Sequence, residues 1–267
     1  MINAVDTADL PDVHPASSPI ARSARHAAAA PPPAVHAAPL RIEYTQTRVL
    51  PAARLRLHER VGVVKSDRSE LAEAFKMLRN QVLQKMQADG HRVLAVTSPR
   101  QVAGKSLSAL NLALAIAADF DATALLVDAD LSGQGLQGLF GLDGAAGLGD
   151  HLLRGVPIPE LLVNPGIERL VFLPAGSTAI AQSAELLSTR VLRDLVGELK
   201  SRYDNRIIIV DLPPALTTAD ALAFLPMADT TLLVIEEHAT RMADMESLAE
   251  LLAPFELMGT VMSPALD

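Results

Sequence analysis

The chain has 267 residues, 49% of them hydrophobic and only 3% aromatic, so it can bury a sizeable core that must be aliphatic. A formal net charge of −8 argues against a protein that coats nucleic acid, because neutralising phosphates needs clustered Lys and Arg; no nucleic-acid partner is expected. With no cysteine there is neither a disulfide framework nor a thiolate metal site, which fits a reducing cytoplasm.

The chain opens "MINAVDTADLPDVHP", acidic and without an apolar core, which is not a secretory signal. No run of about 18 apolar residues follows, so a soluble protein is expected. Residues 1–40 hold seven of the 18 prolines and the stretch "HAAAAPPPAVHAAP". With few large apolar side chains they cannot offset their ordering entropy, and a disordered Ala/Pro-rich tail is expected. His14, His26 and His36 are irregularly spaced, without acidic or cysteine neighbours, and read as tail rather than metal ligands. Residues 41–66 mix β-formers and basic residues without a clean period and are expected to form a partly ordered arm. The globular domain is placed at 67–267.

"SELAEAFKMLRNQVLQKM", Ser69 to Met86, sets Leu71, Phe75, Leu78, Val82 and Met86 at helical spacing, with Glu73, Lys76 and Arg79 off that stripe. After Gly90 a repeat begins: an apolar β-rich run, a turn, then a helix-period segment. Strands are predicted at Val93–Thr97, Ala124–Val127, Leu170–Leu173, Arg206–Val210, Thr231–Ile235 and Gly259–Met262. Helices are predicted at Lys105–Ala118, Ala184–Ser201, Ala219–Leu225 and Met242–Leu252. Continuous apolar strands alternating with helices predict an α/β fold: a mostly parallel sheet with helices on both faces. In such folds ligands bind at the carboxyl ends of the strands.

Three charged clusters fall at those ends. In "VLAVTSPRQVAGKSLSALNLALAIA", a strand leads through Ser98–Gly104 to Lys105 and Ser106 at the start of an apolar helix. Backbone amides and the helix dipole there favour a phosphate, the Lys reaches its outer oxygens and the Ser hydroxyl binds Mg²⁺. The cradle is expected over Val102, Ala103, Gly104, Lys105, Ser106 and Leu107. "ALLVDADL" ends a strand with Asp128 and Asp130 on one side, a pair able to ligate a cation or orient a nucleophile, or else to cap a turn. "RIIIVDLPP" delivers Asp211 into a turn fixed by Pro213 and Pro214, the way P-loop enzymes hold a Mg²⁺ shell. Taken in this order, the three clusters predict a P-loop NTPase.

From Asp67 to Ser263 the chain resembles the cytoplasmic bacterial tyrosine autokinases of capsule and exopolysaccharide biosynthesis, P-loop relatives of the partition and division-site ATPases. The resemblance rests on Gly104-Lys105-Ser106 (Walker A), Asp128-Ala129-Asp130 (Walker A′), Asp211-Leu212-Pro213-Pro214 (Walker B) and the segments between them. "YTQTRVLP" further resembles the exosortase-associated branch. It implies that Lys105 holds the phosphates of ATP, Ser106 and Asp128 hold Mg²⁺, and Asp130 and Asp211 complete the metal shell and activate the nucleophile. Lys105, Asp128 and Asp130 would then be catalytic, and Ser106, Asp128 and Asp211 metal ligands. It also implies an inner-membrane chain-length or co-polymerase partner that recruits the chain, and a homo-oligomer with contacts through Glu73, Lys76 and Arg79. The competing reading of those three is a solvated charged helix face.

The chain departs from the family at Arg100-Gln101-Val102-Ala103, where the loop is usually rich in Gly and Pro. It departs again at Ser132 and Gly133, usually basic, and at Ser263, usually a base-contacting asparagine. Tyr44 and Tyr203 are the only tyrosines and the sequence stops at Asp267, so autophosphorylation of a tyrosine tail is not expected. Two alternatives therefore stand beside Mg-ATP phosphoryl transfer: a catalytically weak or inactive regulatory scaffold, and a partition-type ATPase in which Arg100 reaches across a dimer.

Overall fold

A computed structural model describes residues 47–50, 69–101, 104–132, 135–202 and 205–263. The predicted tail 1–40, most of the arm 41–66, and the loop residues Val102 and Ala103 lie outside them, as do Gly133, Tyr44 and Tyr203.

Helix α1, Glu70–Asp89, starts where the Ser69 side chain accepts the Ala72 amide at 3.1 Å and ends at Gly90, whose φ of 69° suits a left-handed cap. Its buried face is Ala72, Phe75, Val82 and Met86; Leu71, which the spacing puts in the stripe, is 38% exposed and yields its place to Ala72. Helix α2, Gly104–Ala117, is buried along all of its length except Ser106 and Leu107. A helix that apolar on every side belongs in the middle of a protein.

The eight-stranded sheet runs β1-β4-β5-β3-β6-β2-β7-β8. The strands are β1 Arg48–Val49, β2 Val93–Thr97, β3 Thr123–Asp128, β4 Val163–Asn164, β5 Leu170–Leu173, β6 Arg206–Asp211, β7 Thr230–Glu236 and β8 Leu257–Ser263. All pairings are parallel except β4 with β5. Alternation along each strand feeds two apolar layers. Leu94 and Val96 of β2 pack with α1 and α2, whereas Val93 and Ala95 face the helices on the other side. The mostly parallel sheet with helices on both faces is thus present.

Helix α3 (Leu148–Arg154) and the single turn α4 (Ile158–Leu161) precede β4. The predicted helix Ala184–Ser201 is two helices, α5 (Ser183–Leu187) and α6 (Arg190–Arg202). Ser188 and Thr189 divide it: their hydroxyls bond back to the carbonyls of Glu185 and Leu186, and Thr189 also accepts the Leu192 amide. Such local bonds compete with the helix ladder. Helix α7 (Asp220–Phe224) gives way to a 3₁₀ turn, Leu225–Met227, at Pro226. Helix α8 is Met242–Leu252. Among the described residues no helix is long and apolar enough to cross a membrane.

Candidate functional site

Strand order places β6 between β3 and β2, with Asp211 in register beside Asp128 on one side and Val96 on the other. The carboxyl ends of β2, β3 and β6 therefore converge where α2 begins. Gly104 opens that helix with no room for a side chain, since a Cβ would lie 2.0 Å from the Ser263 Oγ at the end of β8.

Lys105 is 1% exposed, and its Nζ lies 2.6 Å from Asp211 Oδ1 and 3.1 Å from the Ser106 Oγ. Burying an ammonium is tolerable only with such a partner. The other Asp211 oxygen, Oδ2, is buried and, among the described residues, has no hydrogen bond of ordinary geometry. Burial pushes the Asp211 carboxyl above its usual range; Lys105 and the nearby Ser106 hydroxyl oppose this, and Asp130 adds to it. Asp128 is raised to about 8, first by burial and then by the Asp211 charge.

Asp128 and Asp130 also serve their own loop. Asp128 Oδ1 accepts the Asp130 amide at 3.2 Å and Oδ2 accepts the Leu136 amide at 2.5 Å. Gly135 is required beside it, because a Cβ there would sit 1.9 Å from Asp128 Oδ2. Asp130 Oδ1 accepts from the Ser132 hydroxyl at 2.5 Å and from its amide at 3.2 Å. Both aspartates thus cap their own turn while lying beside Asp211. Asp128 and Asp130 crowd the Asp211 carboxylate that pairs with Lys105, and among the described residues Asp211 Oδ2 has no hydrogen bond of ordinary geometry. That donor set fits a divalent cation.

The loop before α2 is clamped on its sheet side. Thr97 donates its hydroxyl to the Pro213 carbonyl at 2.8 Å, and Ala215 and Leu216 donate amides to the carbonyls of Ser98 and Pro99. The Pro213-Pro214 turn after Asp211 therefore carries the loop as well as the carboxylate. Glu73, Lys76 and Arg79 lie apart, on α1. Glu73 and Lys76 form an i,i+3 pair at 2.9 Å, while Arg79 turns inward to the Ala115 carbonyl and to Asp119. Nothing local in the sequence marks Gly135, Leu136 or Asp244 as neighbours of the site. A groove of about 510 Å³ and a cluster of Asp89, His91 and Glu256 lie at the opposite end, where strands begin, and do not reach this chemistry.

A strand, a Gly-Lys-Ser helix start and two aspartate-bearing strands in this register define a P-loop nucleotide fold. The family model described as an AAA domain matches residues 91–265. The succinoglycan biosynthesis transport protein ExoP of Rhizobium meliloti is 32% identical over 176 residues, which cover 65% of this chain and 22% of ExoP. The tyrosine-protein kinase YwqD of Bacillus subtilis is 28% identical, covering 78% of this chain and 87% of its own. The solved structure of the chimerical protein CapA2B2 superposes with a TM-score of 0.70 at 25% identity, over 78% of this chain and 91% of that one. The chain belongs to the AAA-domain family, in its bacterial tyrosine-kinase group.

Proposed function

We propose that the chain binds ATP with Mg²⁺ and transfers the terminal phosphoryl group to a protein tyrosine hydroxyl, in an exopolysaccharide system. Its partner would be an inner-membrane chain-length or co-polymerase protein that recruits it to the membrane, and it would act as a homo-oligomer. The observation that carries this reading is the buried Lys105–Asp211 pair beside Ser106, with one Asp211 oxygen unpartnered among the described residues. The exopolysaccharide setting is supported by similarity to ExoP, and the tyrosine acceptor by similarity to YwqD.

Ser106, Asp128 and Asp211 would hold Mg²⁺, which when bound would supply positive charge against the negative charge that develops on the transferred phosphoryl group. Lys105 would hold the outer phosphates, and the amides at the start of α2, Gly104 to Leu107, would cradle them. Asp128 would orient the attacking hydroxyl and Asp130 would accept its single proton. The burial of this cluster strengthens every charge in it.

Two observations bear on the alternatives. Both Asp128 oxygens are already engaged by backbone amides, which favours a nucleotide-binding scaffold with weak chemistry. Arg100 is bonded to Asp244 of its own chain, which disfavours a partition-type arm. Calorimetric titration with ATP and Mg²⁺ tests the binding step: wild type should bind, and Lys105→Ala should not. Equal binding by the two would remove the reading. Phosphate transfer to a tyrosine-bearing peptide then separates kinase from scaffold.

A further inference from the structure

Phosphate-binding amides must be held in one arrangement, because any disorder they keep until ligand arrives is subtracted from affinity. Glycine-rich loops manage this through tight backbone geometry, and Arg100-Gln101-Val102-Ala103 contains no glycine. On the sheet side the loop is fixed by the bonds to Ala215 and Leu216, and by the Ser98 hydroxyl donating to the Arg100 carbonyl at 2.7 Å. On its outer side it has a side-chain tie. Arg100 Nε and Nη2 both approach Asp244 Oδ1 at 2.8 Å.

The two partners are unequal. The Asp244 side chain is 8% exposed, the Arg100 side chain 60%. Asp244 sits in the first turn of α8, its amide bonded to the Arg241 carbonyl, on a helix anchored in the core by Leu248 and Leu252. A carboxylate there is favoured by the helix dipole. The buried acid is the fixed point, and the exposed arginine is the part it restrains.

We propose that Asp244, acting through Arg100, is a positioning residue for the phosphate-binding loop, tying its outer side to α8 where other loops rely on glycine. This rests on the nucleotide-binding reading above. A partly exposed ion pair adds little to global stability, so its loss is felt in the loop rather than the fold.

The test uses the full chain as wild type, Asp244→Asn, Arg100→Gln, Arg100→Lys and Lys105→Ala. Three quantities are read: hydrogen–deuterium exchange over residues 98–106 without nucleotide, ADP affinity by calorimetry, and melting temperature without nucleotide. Asp244→Asn and Arg100→Gln should each raise exchange over 98–106 and weaken ADP about tenfold, with melting nearly unchanged. Arg100→Lys, which keeps the charge but loses the two-nitrogen fork, should recover part of both. Unchanged exchange or unchanged ADP affinity in both Asp244→Asn and Arg100→Gln overturns the proposal. So does a fall in melting temperature that accounts for the exchange. If wild type and Lys105→Ala hold ADP equally, the nucleotide reading itself fails and takes this role with it, an outcome that the lysine variant tells apart from failure of the tie.

Discussion

The two ends of the sheet treat their aspartates in opposite ways. Where the strands begin, Asp229 accepts the amides of Arg92 and Val93 at 2.8 and 2.9 Å and the Lys200 ammonium at 2.5 Å. Burial alone would raise its carboxyl, but these donors outweigh it and hold Asp229 below the usual range. Where the strands end, Asp128 and Asp211 crowd together with Asp130, and both are raised. Helix α2 spans the same contrast. Its C-terminal carbonyls receive Arg79 and Arg169 from other elements, whereas its N-terminal turn carries Lys105, paired with the Asp211 that Asp128 and Asp130 crowd. One end is balanced for the fold; the other keeps an excess of negative charge that a bound cation would complete.

Removing Lys105 should have the largest effect. Lys105→Met leaves Asp211 buried without its partner, and breaking a buried pair costs about 3–5 kcal/mol, which urea unfolding at neutral pH should register. ADP affinity should fall at least about 100-fold. The double variant Lys105→Met with Asp211→Asn should regain most of the stability and none of the affinity. If stability stays low, the charge cluster belongs to the fold, and the contrast between the two ends collapses.

Asp229→Asn sharpens the other side. Its donors lose a charged acceptor, so a cost of about 2 kcal/mol is expected at pH 7. Because the folded carboxyl is depressed below the unfolded value of about 3.9, this stabilisation is fully present above that value. It disappears as pH falls through the folded pKa. The gap between wild type and variant in urea should therefore be constant from pH 7 to about 5 and shrink progressively as pH falls below about 4; a gap that widens or stays constant there would contradict the assignment.

Arg169 comes next. Its Nε donates to the Ala117 carbonyl at 2.9 Å and its guanidinium lies 6.0 Å from the Phe120 ring, yet its φ is 62°. Helix α2 has no basic residue in its own last turn, so this arginine supplies the charge its dipole calls for. Arg169→Ala should cost about 1–2 kcal/mol. Arg169→Gly should cost less, reversing the usual order, because glycine adopts positive φ without strain. Thermal unfolding of the pair decides it.

How much of this was legible in sequence follows from the range of the interactions. The six longer strands could be read within about two residues; five of them are buried parallel strands and so unbroken apolar runs, whereas the edge strand β8 is largely exposed and is read two residues short at its start. Two-residue strands such as β1 and β4 offer no period to detect, and the break at Ser188 and Thr189 depends on hydroxyls that a helical wheel does not see. At the site, Gly104-Lys105-Ser106, Asp128, Asp130 and Asp211 announce themselves by lying at strand ends. The Gly135–Leu136 lock on Asp128 and the Asp244 tie to Arg100 join residues that no local pattern relates; the tie spans 144 positions. Arg79 is the instructive middle case. Its spacing with Glu73 and Lys76 is plain in sequence, but the side of the helix that its guanidinium serves is not.

That residue gives the smallest and most discriminating prediction. Arg79 lies 3.4 Å from the Ala115 carbonyl and 3.8 Å from Asp119, and its side chain is 18% exposed. The bond to Ala115 is long and the ion pair loose, so Arg79→Ala should cost no more than about 1 kcal/mol. If α1 also carries a contact between copies, Arg79→Glu should do more than that. It would place an acid beside Asp119 and at the negative end of α2 in its own chain, and would repel acids on a neighbour. The first effect lowers melting at any protein concentration; the second shifts sedimentation toward monomer and is weakened by salt, since exposed charges are screened within about 8–10 Å at physiological ionic strength. A change in sedimentation larger than that produced by Arg79→Ala, at a concentration where both variants are folded, assigns the α1 face to self-association. A drop in melting with no change in sedimentation leaves Arg79 as an internal cap of α2, belonging wholly to the balanced end of the molecule.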